Sequence, residues 1–257
     1  IWLYSSSNNT ISDCEIYDNW SGISLEYSFE NTISGCEIYD NNYNGIRLYS
    51  STNNTISNCK SYSNCWGIWL YSSSNNTISG CEIYDNWEGI ELLSHSCNNT
   101  ISGCEIYDNG WMGVHLCCYS RDNVILNNNF YSDGLYTSGE HNIVSNNMVN
   151  DKPLVYLEEE SYITVEDAGQ IILVNCHDIV IRDQELSDTD YPIQLYNSYN
   201  CSIYNNIISD NSGGIDLYNS SNNNIQNNSF SGSWAAVDMT YSDNNFISGN
   251  YITCLLY

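Results

Sequence analysis

The stretch Asn8-Asn9-Thr10-Ile11-Ser12-Asp13-Cys14-Glu15-Ile16-Tyr17-Asp18-Asn19 returns four more times almost unchanged, with its threonine at Thr10, Thr32, Thr55, Thr77 and Thr100. The period is 22 to 23 residues. A unit this small cannot bury its apolar face alone, so it must be stacked on copies of itself. Within a unit, Ile11, Ile16, Ile23 and Leu25 alternate with Ser12, Glu15, Tyr17 and Ser24, the period of short half-buried strands. Gly, Asn, Asp and Ser cluster between the strands, where they favour turns. About three strands per unit, coiled into a rung and stacked at ~4.8 Å, make a parallel β-helix. Apolar spacing of three and four is absent and the Asn, Ser, Thr and Tyr content is poor for helices, which excludes helical repeats. The leucine spacing of leucine-rich repeats is also missing.

The run GIxLYSSSNNTISxC/NxIYDN, with the later run from Lys152-Pro153-Leu154-Val155-Tyr156 through Ala168-Gly169-Gln170-Ile171-Ile172-Leu173-Val174-Asn175-Cys176, resembles the NosD-like right-handed parallel β-helix repeat proteins of methanogen-type archaeal surfaces. The resemblance covers the whole chain. It implies an all-β, right-handed, single-stranded parallel β-helix and says little about function, because such repeats serve surface proteins, carbohydrate-active enzymes and metal-handling proteins alike.

Threonine-equivalent positions continue through Val124 and Ile143 and resume at Ile179, Ser202, Asn224 and Phe246, giving about eleven rungs. The interval Asp151 to Gln170 holds Pro153 and Glu158-Glu159-Glu160, and predicts a loop or a sheet-changing strand. The expected organisation is one domain over 1–257, with regular rungs over 1–122, less regular ones over 123–178 and regular ones again over 179–257. Neither Ile1-Trp2-Leu3-Tyr4 nor Leu255-Leu256-Tyr257 reads as a cap, so exposed strand edges are expected to stack on further chain or on other copies.

With 31 acidic against 5 basic residues, the formal charge of −26 argues against nucleic acid and anionic membrane surfaces as partners. No apolar run is long enough for a transmembrane helix. Twelve cysteines without paired CxxC knuckles favour an exterior, oxidising location. Eight glycosylation sequons, at Asn8, Asn19, Asn53, Asn75, Asn98, Asn200, Asn219 and Asn227, agree with it, although several fit equally as turn formers.

Cys14, Cys36, Cys59, Cys81 and Cys104 share one phase, which continues as Asn128, Asn147, Asp183, Asn206, Asn228 and Asn250. The resemblance implies an inward asparagine ladder at this phase, replaced here by thiols in the first half. They read as buried thiols, with rung-to-rung disulfides or a metal or redox role as alternatives. Cys65, Cys97, Cys117 and Cys118 occupy turn or outward phases and are candidate cross-links. Glu15, Glu37, Glu82 and Glu105 form one acidic row with Lys60, and Asp18, Asp40, Asp85 and Asp108 form another. Like charges one rung apart repel by about 1 to 3 kcal/mol. Ca²⁺ on these acidic ladders is the candidate offset, although no cofactor is required. Tyr17, Tyr39, Tyr62, Tyr84 and Tyr107 form an aromatic ladder suited to stacking or to sugar faces, and Arg47 and Trp69 share an outward phase that predicts a cation–π contact.

For enzymes of this architecture, only Arg182-Asp183 with Asp188 and Asp190 offers a candidate neighbourhood. His115 with Cys117 and Cys118 could hold copper or zinc. The expectation from sequence is therefore a non-catalytic extracellular structural protein, a sheath, layer or filament subunit whose partners are copies of itself and cell-surface glycans. The alternative is a polysaccharide-binding or polysaccharide-cleaving surface protein, and a third reading is a copper-handling accessory protein.

Overall fold

A computed structural model describes residues 1–253, whose regular elements are all strands, most of them of three or four residues joined by turns. The end at Leu255-Leu256-Tyr257, expected to lack a cap, lies outside the described residues. Among the described residues no helix is long and apolar enough to cross a membrane. The chain forms two compact units, Ile1–Asn147 and a second beginning at Met148.

In the first unit each turn of chain lays one strand on each of three parallel sheets. The first sheet stacks Trp2–Tyr4, Ile23–Glu26, Asn44–Tyr49, Trp66–Tyr71, Glu88–Leu93, Val114–Leu116 and Leu135–Thr137. The second runs from Thr10–Ser12 to Ile143–Ser145, and the third from Glu15–Tyr17 to Asn129–Tyr131. Register is strict: Ile78 faces Ile56 and Ile101, and Leu70 faces Leu48 and Leu92. The alternation found in sequence therefore sends Ile33, Ile38, Ile46 and Leu48 inward at 0% exposure. Each such burial contributes roughly 1.5 to 3 kcal/mol. Where Ser61 replaces the inward isoleucine, its hydroxyl donates to the Gly67 carbonyl at 2.8 Å, so the buried oxygen is not left unpaired.

The corners explain the polar composition. Asp13, Gly35, Asn58, Gly80 and Gly103 succeed one another at φ between 52° and 62°. Gly, Asn and Asp are the residues that tolerate this left-handed conformation, which is why one sequence slot alternates among them. Inside the corners run ladders that sequence reading did not single out. The Asn31 N–H and amide both donate to Asn54 Oδ1 at 3.0 Å, and the pattern repeats through Asn76 and Asn99. A second ladder climbs Asn41, Asn64, Asn86 and Asn109, and a third uses the hydroxyls of Ser28, Ser51, Ser73 and Ser96. Each supplies an acceptor where strand pairing lapses.

The second unit opens differently. Met148–Val149 pairs antiparallel with Lys152–Glu158, through left-handed Asn150 and Asp151. Lys152–Glu158 then starts a parallel stack with Gln170–Val174, Ile193–Tyr196, Ile215–Tyr218 and Val237–Thr240. The interval expected to interrupt the coil is thus a long strand, followed by the short strand Thr164–Val165, which pairs with Val180–Arg182. The threonine phase passes through Val180, which faces Ser202, and not through Ile179. Likewise the inward amide below Asn206 belongs to Gln184, whose N–H donates to Asn206 Oδ1 at 3.0 Å, and not to Asp183. Asp183 holds the left-handed corner at φ 55°.

Candidate functional site

The inward thiols come first. Cys36, Cys59, Cys81 and Cys104 are buried at 1–2% exposure while Cys14, in the first rung, is half-buried. Cys104 N–H donates to Asn128 Oδ1 at 2.9 Å, so the cysteine phase runs into the asparagine ladder. Burial pushes the Cys36 thiol up, and that of Cys201 in the second unit to about 11. Neutral buried thiols are poor nucleophiles and poor metal ligands. The eleven cysteines of the described residues are all free thiols. Cys65, Cys97 and Cys117 are half-buried and Cys118 is exposed, with the Cys117 and Cys118 sulfurs 2.8 Å apart.

All eight sequon asparagines are exposed, and every one except Asn19 has positive φ. Their turn-forming role therefore has a direct backbone cause. The same holds for Asp18, Asp40, Asp85 and Asp108, which occupy left-handed corners at φ 50° to 54°. The glutamate row is held by protein groups. Tyr39 Oη donates to Glu15 at 2.7 Å, Tyr62 Oη to Glu37 at 2.9 Å and Tyr107 Oη to Glu82 at 2.6 Å, while Lys60 lies 2.6 Å from Glu82. Glu82 is accordingly held below the usual carboxylate range by Lys60 and Tyr107. Glu105 stands exposed in the same row, facing Glu82. Neither acidic row gathers three ligand atoms into one set among the described residues.

The tyrosine–glutamate bond has a titration consequence. The hydrogen bond to Glu15, helped by burial, pushes Tyr39 up to about 12. The neutral phenol is thereby favoured in the folded state. Its contribution is full below the unfolded value of about 10 and is lost as pH rises through the folded one. Glu15→Gln is expected to return Tyr39 ionisation towards about 10, read as the tyrosinate absorbance that Tyr39→Phe removes. No change in that increment would show the bond to be absent.

The tyrosines of this ladder stack nearly parallel, with Tyr62–Tyr84 at 4.7 Å and 8° and Tyr84–Tyr107 at 4.8 Å and 3°. Their faces are consumed by one another. The outer face of the first sheet is different. Because side chains alternate and register is exact, one outward row reads Trp2, Ser24, Arg47, Trp69, Glu91, His115 and Tyr136 from strand to strand. Beside it runs Asn44, Trp66, Glu88, and on the other flank Glu26, Tyr49, Tyr71.

These rows enclose a groove of ≈ 950 Å³ lined by Trp2, Trp20, Tyr43, Trp66 and Trp69 together with Glu26, Arg47 and Glu91. Trp20 stacks on Tyr43 at 5.1 Å, and Tyr43 tilts against Trp66 at 5.2 Å and 40°. Arg47 is pinned by an ion pair with Glu26 and a bond to Ser24 Oγ. Its guanidinium lies 5.6 Å from the Trp69 ring centre, the contact that the shared phase predicts, and 5.1 Å from that of Tyr49.

Glu91, in the wall of the groove, also belongs to a cluster with Glu88 and His115. His115 Nδ1 lies 2.6 Å from Glu88 Oε1 and 3.6 Å from Glu91 Oε1, and Trp66 Nε1 donates to Glu88 Oε2 at 3.0 Å. Both carboxylates are more than nine-tenths buried. Burial, then the charge of Glu88, pushes Glu91 up to about 7 against the opposing pull of His115. His115 therefore meets carboxylates where sequence placed it with Cys117 and Cys118. The sequence displays Glu91 in the outward phase of His115 but marks neither it nor Glu88 as a site residue; the available signal was that shared phase on neighbouring rungs. The other candidate neighbourhood does not converge: Arg182 is engaged by Asp183 at 3.0 Å on the surface, whereas Asp190 is buried.

The family model described as "Right handed beta helix region" matches residues 1–149, and that described as "Periplasmic copper-binding protein (NosD)" matches residues 131–254. No curated protein sequence matches the chain. Among solved structures it is similar to the periplasmic alginate epimerase AlgG, at 17% identity over 97% of this chain and 51% of that one with a TM-score of 0.48. Pectate lyase Pel9A follows at 14% identity over 88% and 56%, with a TM-score of 0.43. The polygalacturonase from Erwinia carotovora ssp. carotovora shows 11% identity over 100% and 85%, with a TM-score of 0.48. The chain thus spans about half the length of the first two, and likeness at such identities is one of fold. The expectation that the chain is not an enzyme is corrected: this coil is shared by enzymes, an epimerase, a lyase and a polygalacturonase among them, as well as by a surface adhesin, so the fold gives no ground for excluding catalysis. Nothing in these likenesses supports the sheath or filament reading. With 149 of 257 residues matched by its model, the chain belongs to the right-handed β-helix family.

Proposed function

We propose that this chain holds a polysaccharide along the outer face of its first sheet, as an exported protein working outside the cytoplasm. The observation that carries the reading is the groove of ≈ 950 Å³ with five Trp and Tyr rings in its wall and a pinned Arg47 in its floor. Sugar rings bind through apolar faces and a hydroxyl rim, which aromatic planes and fixed polar groups match. A net charge of −26 opposes polyanions, and the one arginine of the groove is already paired with Glu26, so the expected ligand is a neutral glycan. Glu91, which lines the groove, and Glu88 on the same strand are the carboxylates that a cleavage step would draw on.

Affinity electrophoresis against a panel of neutral and acidic polysaccharides tests this. Retardation by a neutral glycan is expected, and Trp69→Ala should weaken it by about 2 kcal/mol, roughly 30-fold in affinity. Release of reducing ends in the same incubations would add cleavage to binding. Unretarded migration in every gel would refute the proposal.

A further inference from the structure

Glu88, Glu91 and His115 each offer one ligand atom, and the three atoms lie within 4.8 Å of one another. Glu88 and Glu91 are 7% and 8% exposed, so two carboxylates share a largely dry pocket with one imidazole. With both carboxylates ionised the pocket holds two negative charges beside a single imidazole, an imbalance that is costly in a buried setting and that a bound cation would relieve. Arg47, two strands away on the same row, is committed to Glu26.

The donors are also oriented. Trp66 Nε1–H holds Glu88 Oε2 at 3.0 Å, which turns Oε1 towards His115 Nδ1. An outer group that fixes a carboxylate in this way is what metal ligands usually have. Glu91 lines the groove, which gives an ion a path from solvent.

We propose that Glu88, Glu91 and His115 bind one divalent transition-metal ion of the Zn²⁺ class. Two carboxylate oxygens and one imidazole nitrogen are a donor set that suits such an ion and leaves a coordination position for water or a ligand. The site lies outside the segment matched by the NosD model and uses no thiol. It stands independently of the glycan reading, since an ion can bind whether or not a sugar does.

The test is calorimetric titration of Zn²⁺ into the full chain carrying Cys117→Ser and Cys118→Ser, which removes the neighbouring thiol pair. One ion per chain is expected, with a raised Tm. In that background His115→Ala and Glu91→Gln should each weaken binding by about 100-fold or more, and the milder Trp66→Phe by about 10-fold through loss of its hold on Glu88. Far-ultraviolet circular dichroism shows whether each variant keeps its coil, and Trp66→Phe retains the bulk of the aromatic wall. The proposal is overturned by absence of saturable Zn²⁺ binding, by binding that His115→Ala, Glu91→Gln and Trp66→Phe leave unchanged, or by binding that disappears with the two thiols.

Discussion

Asn76→Leu is expected to destabilise the first unit by about 4 kcal/mol, although it replaces a polar side chain by an apolar one of similar size in a buried position. Asn76 Oδ1 accepts from both the N–H and the amide of Asn54, at 2.9 and 3.1 Å. Its amide donates to the carbonyls of Ser51 and Ser74 and to Asn99 Oδ1, all at 3.0 to 3.1 Å. Leucine removes these bonds, in which the amide's two hydrogens are shared among three acceptors, and leaves buried donors of Asn54 and the buried Ser51 carbonyl short of partners, each costing about 1 to 3 kcal/mol. The gain from burying leucine offsets only about 2 kcal/mol of that. A lower urea midpoint at unchanged slope is the expected signature. A midpoint shift within about 0.5 kcal/mol would mean that the corner ladders do not hold the rungs together.

Gly67→Ala is expected to cost about 3 kcal/mol and also to abolish glycan retention, because the glycine sits between the core and the groove. An added Cβ would meet the Gly89 carbonyl at 2.6 Å, Ile83 Cγ2 at 2.8 Å and Asn86 Nδ2 at 2.9 Å. The first of these is backbone of the next strand, so relief requires moving the strands of Trp66, Trp69, Glu88 and Glu91 apart. Gly22, Gly45 and Gly89 meet the same obstacle in neighbouring rungs. Gly103 has nothing within 4 Å, but its φ of 62° makes any Cβ there a conformational cost alone. Gly103→Ala is therefore expected to lower stability by about 1 kcal/mol while leaving the groove intact. Equal loss of binding in both variants would break the link between the Gly67 contact and the groove.

The fold was legible because every repeat says the same thing. Ile11 and Ile16 recur at fixed offsets, and a one-residue slip would turn the whole set outward. Legibility failed where the repeat failed. The phase drifted by one residue at Ile179 and Asp183, because the antiparallel turn at Asn150–Asp151 and the strand Lys152–Glu158 reset the count without a repeat signature. The corner ladders of Asn31 to Asn99, Asn41 to Asn109 and Ser28 to Ser96 are not legible in the sequence, since Asn and Ser also abound in exposed turns and composition cannot separate an inward amide from an outward one.

The site was half legible. The Arg47–Trp69 pairing followed from shared phase, whereas Glu88 and Glu91 fall on different rows from the acidic ladders that drew attention. What joins them to His115 is lateral stacking of strands 24 and 27 residues apart, and one strand's spacing does not display it.

The proposed sugar-binding role of the groove is tested most directly by solving the structure with an oligosaccharide of the best-retained glycan. The expected result is a sugar chain along the first sheet, with rings packed on Trp66 and Trp69 and a hydroxyl within reach of Arg47. A sugar seated instead on the Tyr17–Tyr107 ladder, or binding that leaves the groove empty, would contradict the account.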